Sequence, residues 1–197
     1  MRQAKQVSTE KLLRAAIDLI SERGYNGVTT QEIAIAANLS EMTLFRHFGS
    51  KQKLLETALE RFQYAEEMRI LFSEQLVWEL ESDLLTISRK YHDIMNRDRK
   101  LIQIALKDEV NIPGFKERRL KHPRQLLTLL TDYFTTMNEK GKIVCSNPTM
   151  QGFSFMMAQY GAFINDLEAG NNYPGISLEQ FIQENVKIFV RSLAPNS

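Results

Sequence analysis

Residues 28–54 read VTTQEIAIAANLSEMTLFRHFGSKQKL, and their spacing predicts two short helices, a tight turn between them and the start of a third. Ile33, Ala34 and Ala37 give the first helix an apolar side. Asn38 follows it, and Asn is one of the few non-glycine residues that accepts the left-handed conformation in which helices end. Leu39 points back toward a core, and Ser40 is a natural N-cap for a second helix over Glu41–Phe48. Two helices joined by a turn of three or four residues is the geometry that lays the second helix in a major groove of DNA.

The phase of the second helix agrees with that use. At about 100° per residue, Leu44 and Phe48 turn inward, while Met42, Thr43 and Arg46 fall opposite, flanked by Phe45 and His47. A helix that only covered a core would more often carry Lys and Glu on that arc. A helical hairpin that binds nothing is the alternative reading of the segment. Thr30, placed by the spacing at the N-cap of the first helix, has free backbone N–H groups and a positive dipole end beside it, which suit a phosphate. Lys51, opening the next helix after a Gly-Ser turn, is placed to meet another, and a ring nitrogen of His47 a third. Such contacts fix register and carry little sequence information. Met42 and Thr43 are better placed for base edges, since an apolar side chain or a Thr methyl suits a thymine methyl. Glu41 could accept from a cytosine amino group or complement the helix dipole, and the dipole role is the favoured one. Gln31 and Ser40 complete the candidate DNA face.

Upstream, Thr9–Gly24 reads TEKLLRAAIDLISERG, an amphipathic helix expected to be capped by Thr9 and ended by Gly24. Leu12, Leu13, Ala16, Ile17 and Ile20 are its buried stripe. Joined to GYNGVTTQEIA and ANLSEMTLFRHFGSKQKLL, this string closely resembles the DNA-binding domain of the TetR family of transcriptional regulators. The matching positions are Gly24, Tyr25, Thr29, Thr30, Ile33, Ala34, Ala37, Leu39, Ser40, Thr43, Leu44, Phe45, Arg46, His47, Phe48, Lys51, Leu54 and Leu55. The resemblance is close over roughly the first quarter of the chain and extends to the rest only as an all-helical layout. The chain departs from the family at Phe45, where Tyr is usual and its hydroxyl reaches a phosphate, and at Asn38, where Gly is common.

Composition narrows the alternatives. The chain has 197 residues, 43% of them hydrophobic, which argues against disorder. No apolar run approaches a membrane span and MRQAKQVSTEK holds no apolar signal region, so a cytoplasmic protein with no membrane partner is expected. The single Cys145 permits no internal disulfide. Residues 1–53 hold eight Lys or Arg and five Asp or Glu, a net +3 against +1 for the whole chain. That bias lies beside the candidate DNA face, though alone it is too small to establish nucleic-acid binding. His47, His92 and His122 have no metal-ligand spacing, and there is no Gly-rich phosphate loop, no GxSxG and no nucleophile constellation. No enzyme, cofactor or metal is expected. An all-α ligand-binding or enzymatic protein with a purely structural first hairpin is the competing class.

From Ser50 onward the apolar spacing is helical almost everywhere. One helix is expected from Ser50 to about Phe72, others over about Ser82–Asn96 and Asp98–Val110, and a strongly apolar one after Pro123 that stops at Gly141. The last two, Pro148–Glu168 and one capped by Ser177, are apolar on more than one side. The expected fold class is therefore all-α: a helix-turn-helix three-helix domain over residues 1–49 and a larger helical domain over 50–197.

The resemblance implies more than the residues do. It implies that the last two helices pair with their copies in a homodimer, with Phe153, Met156, Gly161, Ile164, Phe181, Phe189 and Leu193 at the interface; a deep position in a monomer core is the alternative. It implies a pocket for a small-molecule effector, for which Trp78, Tyr91, Met95, Phe115, Phe134, Met137, Phe153, Met157 and Tyr160 are candidate lining residues. Met and aromatic side chains suit an adaptable cavity and an ordinary core alike. The expected partner is a double-stranded DNA operator, palindromic in sequence, and the expected role that of a ligand-responsive repressor; an activator, or a regulator answering to a partner protein, is the alternative.

Overall fold

Local chemistry sets the ends of most helices. The computed structural model describes residues 2–60, 64–107, 115–169 and 175–195, with side chains for 6–60, 66–107, 121–168 and 175–195. Ten α-helices and no strand occur among the described residues, as expected of an all-α chain: α1 (Arg2–Arg23), α2 (Thr30–Ala36), α3 (Glu41–Phe48), α4 (Lys51–Glu60), α5 (Tyr64–Glu74), α6 (Leu80–Arg97), α7 (Arg99–Lys107), α8 (Phe115–Glu139), α9 (Pro148–Ala169) and α10 (Leu178–Leu193). α2 ends in a Schellman motif. Asn38 takes φ 55°, its N–H donates to Ile35 O at 2.9 Å, and the N–H of Leu39 reaches back to Ala34 O at 2.9 Å. α8 ends the same way at Gly141, φ 66°, with Lys142 N donating to Met137 O at 3.0 Å. α9 opens on Pro148, which suits a first helical position. α10 is capped by Ser177 and Gln180 acting reciprocally.

Two expected boundaries are corrected. α1 begins at Arg2, so Thr9 lies inside the helix and does not cap it. Residues 2–6, RQAKQ, are strong helix formers but carry no apolar stripe, so periodicity gives no sign of them. α8 begins at Phe115 and runs through Pro123. A proline removes one backbone hydrogen bond and bends a helix without having to end it when the turns beyond are anchored, and here Leu126, Leu130 and Phe134 bury their side chains. The expected continuity from Ser50 to about Phe72 depends on residues 61–63, and the expected break at Pro113-Gly114 on residues 108–114; both lie outside the described residues.

The chain divides into two compact units, one of residues 1–63 and 98–116, the other of 64–97 and 117–197. This differs from a boundary after residue 49. Leu54, Leu55 and Ala58 of α4 enter the same core as Leu12, Ala16 and Ile20 of α1, Ile33 of α2 and Leu44 of α3. Leu101 and Ile104 of α7 enter it too, and Lys100 pairs with Asp18 at 2.7 Å on the exposed side of that packing. A core with five helices around it closes far more apolar surface than the three helices of a bare helix-turn-helix could.

In the second unit α10 packs on α6 and α9, and α6 on α5 and α9. Phe134, Phe155, Phe163, Leu84 and Val186 are fully enclosed there. A Cβ at Gly152 would stand 3.1 Å from Leu130 Cβ, so this glycine lets α9 and α8 approach closely. Asp83, Tyr133 and Gln159, buried in the unit, are hydrogen-bonded, as burial favours. The Tyr133 hydroxyl donates to Asp83 Oδ2 at 2.9 Å, and Val77 N to Oδ1 at 2.8 Å. Burial and that facing carboxylate hold the Tyr133 phenol well above its ordinary range. His92 of α6 lies 3.1 Å from Gln159 Oε1 of α9, whose amide donates to Asn185 Oδ1 of α10 at 2.9 Å. Glu67 of α5 accepts from Arg97 at 2.6 Å and Lys90 at 2.7 Å, and those hydrogen bonds lower its carboxyl to about 2.

Candidate nucleic-acid interface

The recognition surface is built from the turns outward. α1 closes at Gly24, φ 77°, and the chain doubles back so tightly that a Cβ on Gly27 would stand 2.4 Å from the Arg23 carbonyl oxygen. Arg23 then bridges to Glu32 at 2.7 Å, tying the end of α1 to the start of α2. Thr29, not Thr30, is the N-cap of α2. Its side chain accepts from Glu32 N and its own N–H donates to Glu32 Oε2 at 2.8 Å. The sequence holds that signal, since Thr29 followed by Glu32 has the spacing of a capping box. The Thr29 N–H, then Arg23 and the Thr29 hydroxyl, hold the Glu32 carboxyl at about 2.

Thr30 is consequently the first residue of α2, and its hydroxyl donates to Glu41 at the start of α3. That bond engages one oxygen of Glu41 inside the fold. Ser40 caps α3 as expected. Its Oγ accepts from Thr43 N at 3.2 Å and lies 2.9 Å from Thr43 Oγ1. Leu44 is fully buried and Phe48 partly so, leaving Met42, Phe45 and Arg46 exposed on the other side of the helix, with Gln31 exposed on α2. Met42 is 79% exposed and Phe45 47%. Gly49, φ 75°, ends α3 and turns the chain into α4.

Two residues expected to meet phosphates have partners within the unit. The Lys51 ammonium donates to the carbonyl oxygens of Tyr25 at 2.6 Å and Val28 at 2.7 Å, and stands 4.0 Å from the centre of the Tyr25 ring. It staples the α1–α2 turn to α4. His47 Nδ1 lies 2.9 Å from Thr9 Oγ1, linking α3 to α1 and fixing the ring's orientation. Thr9 is thus a support of the interface that a capping role hid.

The other candidate residues fall in the second unit, except Phe115, which belongs to the first. Tyr91, Met95, Phe134 and Met137 are buried core, Tyr160 is half-buried, and the Phe115 side chain lies outside the described residues. Trp78, at φ 61°, stacks on Tyr133 with ring centres 5.8 Å apart, under the Lys140 ammonium at 3.8 Å. Phe153 and Met157 are exposed on α9. The candidate pocket residues therefore divide between core, turn and outer face. For the pairing surface, Phe153 and Gly161 are exposed, and Ile164 and Phe181 are half-buried. The expectation for Met156, Phe189 and Leu193 is corrected. All three are buried within the unit, Phe189 edge-on to Phe155 with centres 5.1 Å apart. An apolar stripe of Met150, Phe153, Met157 and Gly161 runs along the outside of α9, and Ile188 is exposed on α10. Met150 and Ile188 escaped the sequence reading because helices apolar on several sides give no phase.

Comparison with known proteins agrees with this geometry. Residues 12–58 match the family described as bacterial regulatory proteins, tetR family. The chain is 30% identical over 187 residues to the uncharacterized HTH-type transcriptional regulator YvkB of Bacillus subtilis (strain 168), covering 95% of this chain and 97% of that one. It is 37% identical over 51 residues to the biofilm operon icaADBC HTH-type negative transcriptional regulator IcaR of Staphylococcus aureus, 26% of this chain and 27% of that one. Its fold is similar to that of the transcriptional regulator FadR from Bacillus subtilis in complex with stearoyl-CoA, with a TM-score of 0.69 and 18% identity over 90% of this chain and 96% of that one.

Proposed function

The chain belongs to the TetR family of bacterial transcriptional regulators, and from that premise we propose that it is a homodimeric repressor that releases its operator when a small molecule binds. The family and the relatives are transcriptional regulators, not enzymes. The observation that carries the reading is the exposed arc of Met42, Phe45 and Arg46 on a capped helix, in a segment with net charge +3. Thr30, Gln31, Ser40, Glu41, Met42, Thr43, Phe45, Arg46 and His47 form the operator-facing set, and Lys51 serves it by holding the turn ahead of α2. The unit of residues 1–63 and 98–116, which contains the helix-turn-helix of residues 1–49, supplies the reading head, and the unit of residues 64–97 and 117–197 takes the effector and pairs the subunits, in the cytoplasm where the DNA is.

The exposed apolar stripe of α9 supports pairing, because a surface of that kind is stable in water when a partner covers it. A palindromic operator follows from a two-fold dimer. The negative regulation in the description of IcaR supports repression, and the stearoyl-CoA complex of FadR supports a small-molecule effector. The effector works by binding the DNA-competent and DNA-incompetent states with different affinity.

Selection of bound sequences from a random DNA pool tests the reading. The expected result is a palindrome whose half-sites lie about 34–36 Å apart, or a multiple, on one side of the duplex. Binding should fall steeply with salt, as phosphate contacts require. Enrichment of no sequence, with folded protein, would sink the proposal.

A further inference from the structure

We infer that the recognition helix reads its operator through the C5-methyl groups of thymine, with Met42 as the principal contact and Phe45 and the Thr43 methyl beside it. This rests on the DNA-binding reading and adds what feature of the DNA is recognised.

The polar atoms at the start of α3 are engaged inside the protein. The Thr43 hydroxyl is paired with Ser40 Oγ at 2.9 Å, and the same Ser40 oxygen accepts from the Thr43 backbone. One carboxylate oxygen of Glu41 is held by Thr30. Met42 and Phe45, three positions apart and so on neighbouring turns of one side, are 79% and 47% exposed. Of the three exposed side chains of α3, Met42, Phe45 and Arg46, the charge belongs to Arg46, one turn beyond Met42. Every base edge in the major groove is told apart by donors and acceptors except for one apolar mark, the methyl group of thymine. A helix that offers thioether, phenyl ring and methyl there, with its hydrogen-bonding groups turned on each other, is matched to that mark. The basic charge of the segment brings the duplex to it without reading it.

The test uses the duplex selected with the full-length protein. Each thymine of a half-site is replaced in turn by 2′-deoxyuridine, which keeps the base-pairing edge and lacks the methyl. At one or two positions per half-site the dissociation constant should rise about fourfold, the worth of one buried methyl. In Met42→Ala the penalty at the position Met42 covers should vanish, and in Met42→Leu it should persist. Both variants should melt with the wild type, since the side chain is exposed. Unchanged affinity at every deoxyuridine position overturns the inference and leaves the DNA-binding reading standing. So does a penalty that is the same in wild type, Met42→Ala and Phe45→Ala, because it would then come from DNA shape. If no duplex is selected at all, the reading and the inference fall together.

Discussion

Phe45 is the residue where this chain leaves its family's pattern and where a single atom can be restored. Its ring is half exposed on the recognition side of α3, so a hydroxyl at its end would lie in solvent or against DNA. Phe45→Tyr should tighten operator binding by about tenfold, the value of a hydrogen bond to a charged phosphate, read as a change in dissociation constant. Weaker binding by folded protein would mean that the ring packs away from the duplex. Lys51 makes the opposite case, a cation engaged within the fold. Its two bonds to the carbonyls of Tyr25 and Val28 join segments more than twenty positions apart. Lys51→Ala should cost roughly 2–3 kcal/mol of stability and weaken binding by a similar factor on all DNA sequences, because the loosened turn carries Thr30 and Gln31. Chemical denaturation and a binding series on unrelated duplexes measure the two effects. An unchanged denaturation midpoint would remove the staple. The caps at Asn38 and Ser40 could be read from sequence because a cap is decided by its immediate neighbours. The partners of Lys51 could not, because nothing in KQK names a carbonyl in the turn between α1 and α2.

At the level of helices, α9 and α10 divide their apolar residues between two tasks. Phe189 belongs to the core and Gly161 to the outside, where a Cβ would meet nothing within 4 Å. Gly161→Glu and Met157→Glu should therefore leave the protein folded but monomeric in sedimentation, while Phe189→Glu should unfold it, since an unpaired charge would enter the core. A dimeric Gly161→Glu protein would remove α9 from the pairing surface. Sequence periodicity cannot make this division, because a helix apolar around most of its circumference has no single inward phase. The buried line from His92 through Gln159 to Asn185 joins α6 to both these helices and gives the second unit a pH dependence. Burial pushes the His92 imidazole below its ordinary 6.5, although Gln159, Asp166 and Asp93 pull the other way. The unfolded chain then binds a proton more readily than the folded one, so the stability this group contributes is complete above about pH 6.5 and is lost as the pH falls below it. His92→Gln should flatten that part of a plot of urea midpoint against pH. His122, also lowered by burial, accounts for slope that remains. A His92→Gln profile identical to the wild type would show that the proton goes elsewhere.

On the scale of the molecule, the DNA-reading unit is not one stretch of chain. The family match ends at residue 58, yet the core beneath the recognition helix also holds Leu101 and Ile104 from α7. Local sequence could not reveal this, since α7 reads as an ordinary amphipathic helix and its periodicity does not say which core it joins. Ile104→Ala should lower stability by about 2–5 kcal/mol and impair DNA binding, although the residue touches no DNA. Thermal melting followed by DNA titration below the transition checks both, and a variant as stable as the wild type would mean that α7 is dispensable. The same discontinuity sets an order of events at the ribosome. Chains fold from their N-terminus as they emerge, at roughly 5–20 residues per second. The head that will grip the operator is translated almost at once, but its core stays open at one side until Ile104 has left the exit tunnel some seconds later. During that interval α1 lacks the cover that α7 will give it, so a completed reading head can exist only on a chain already committed to the second unit.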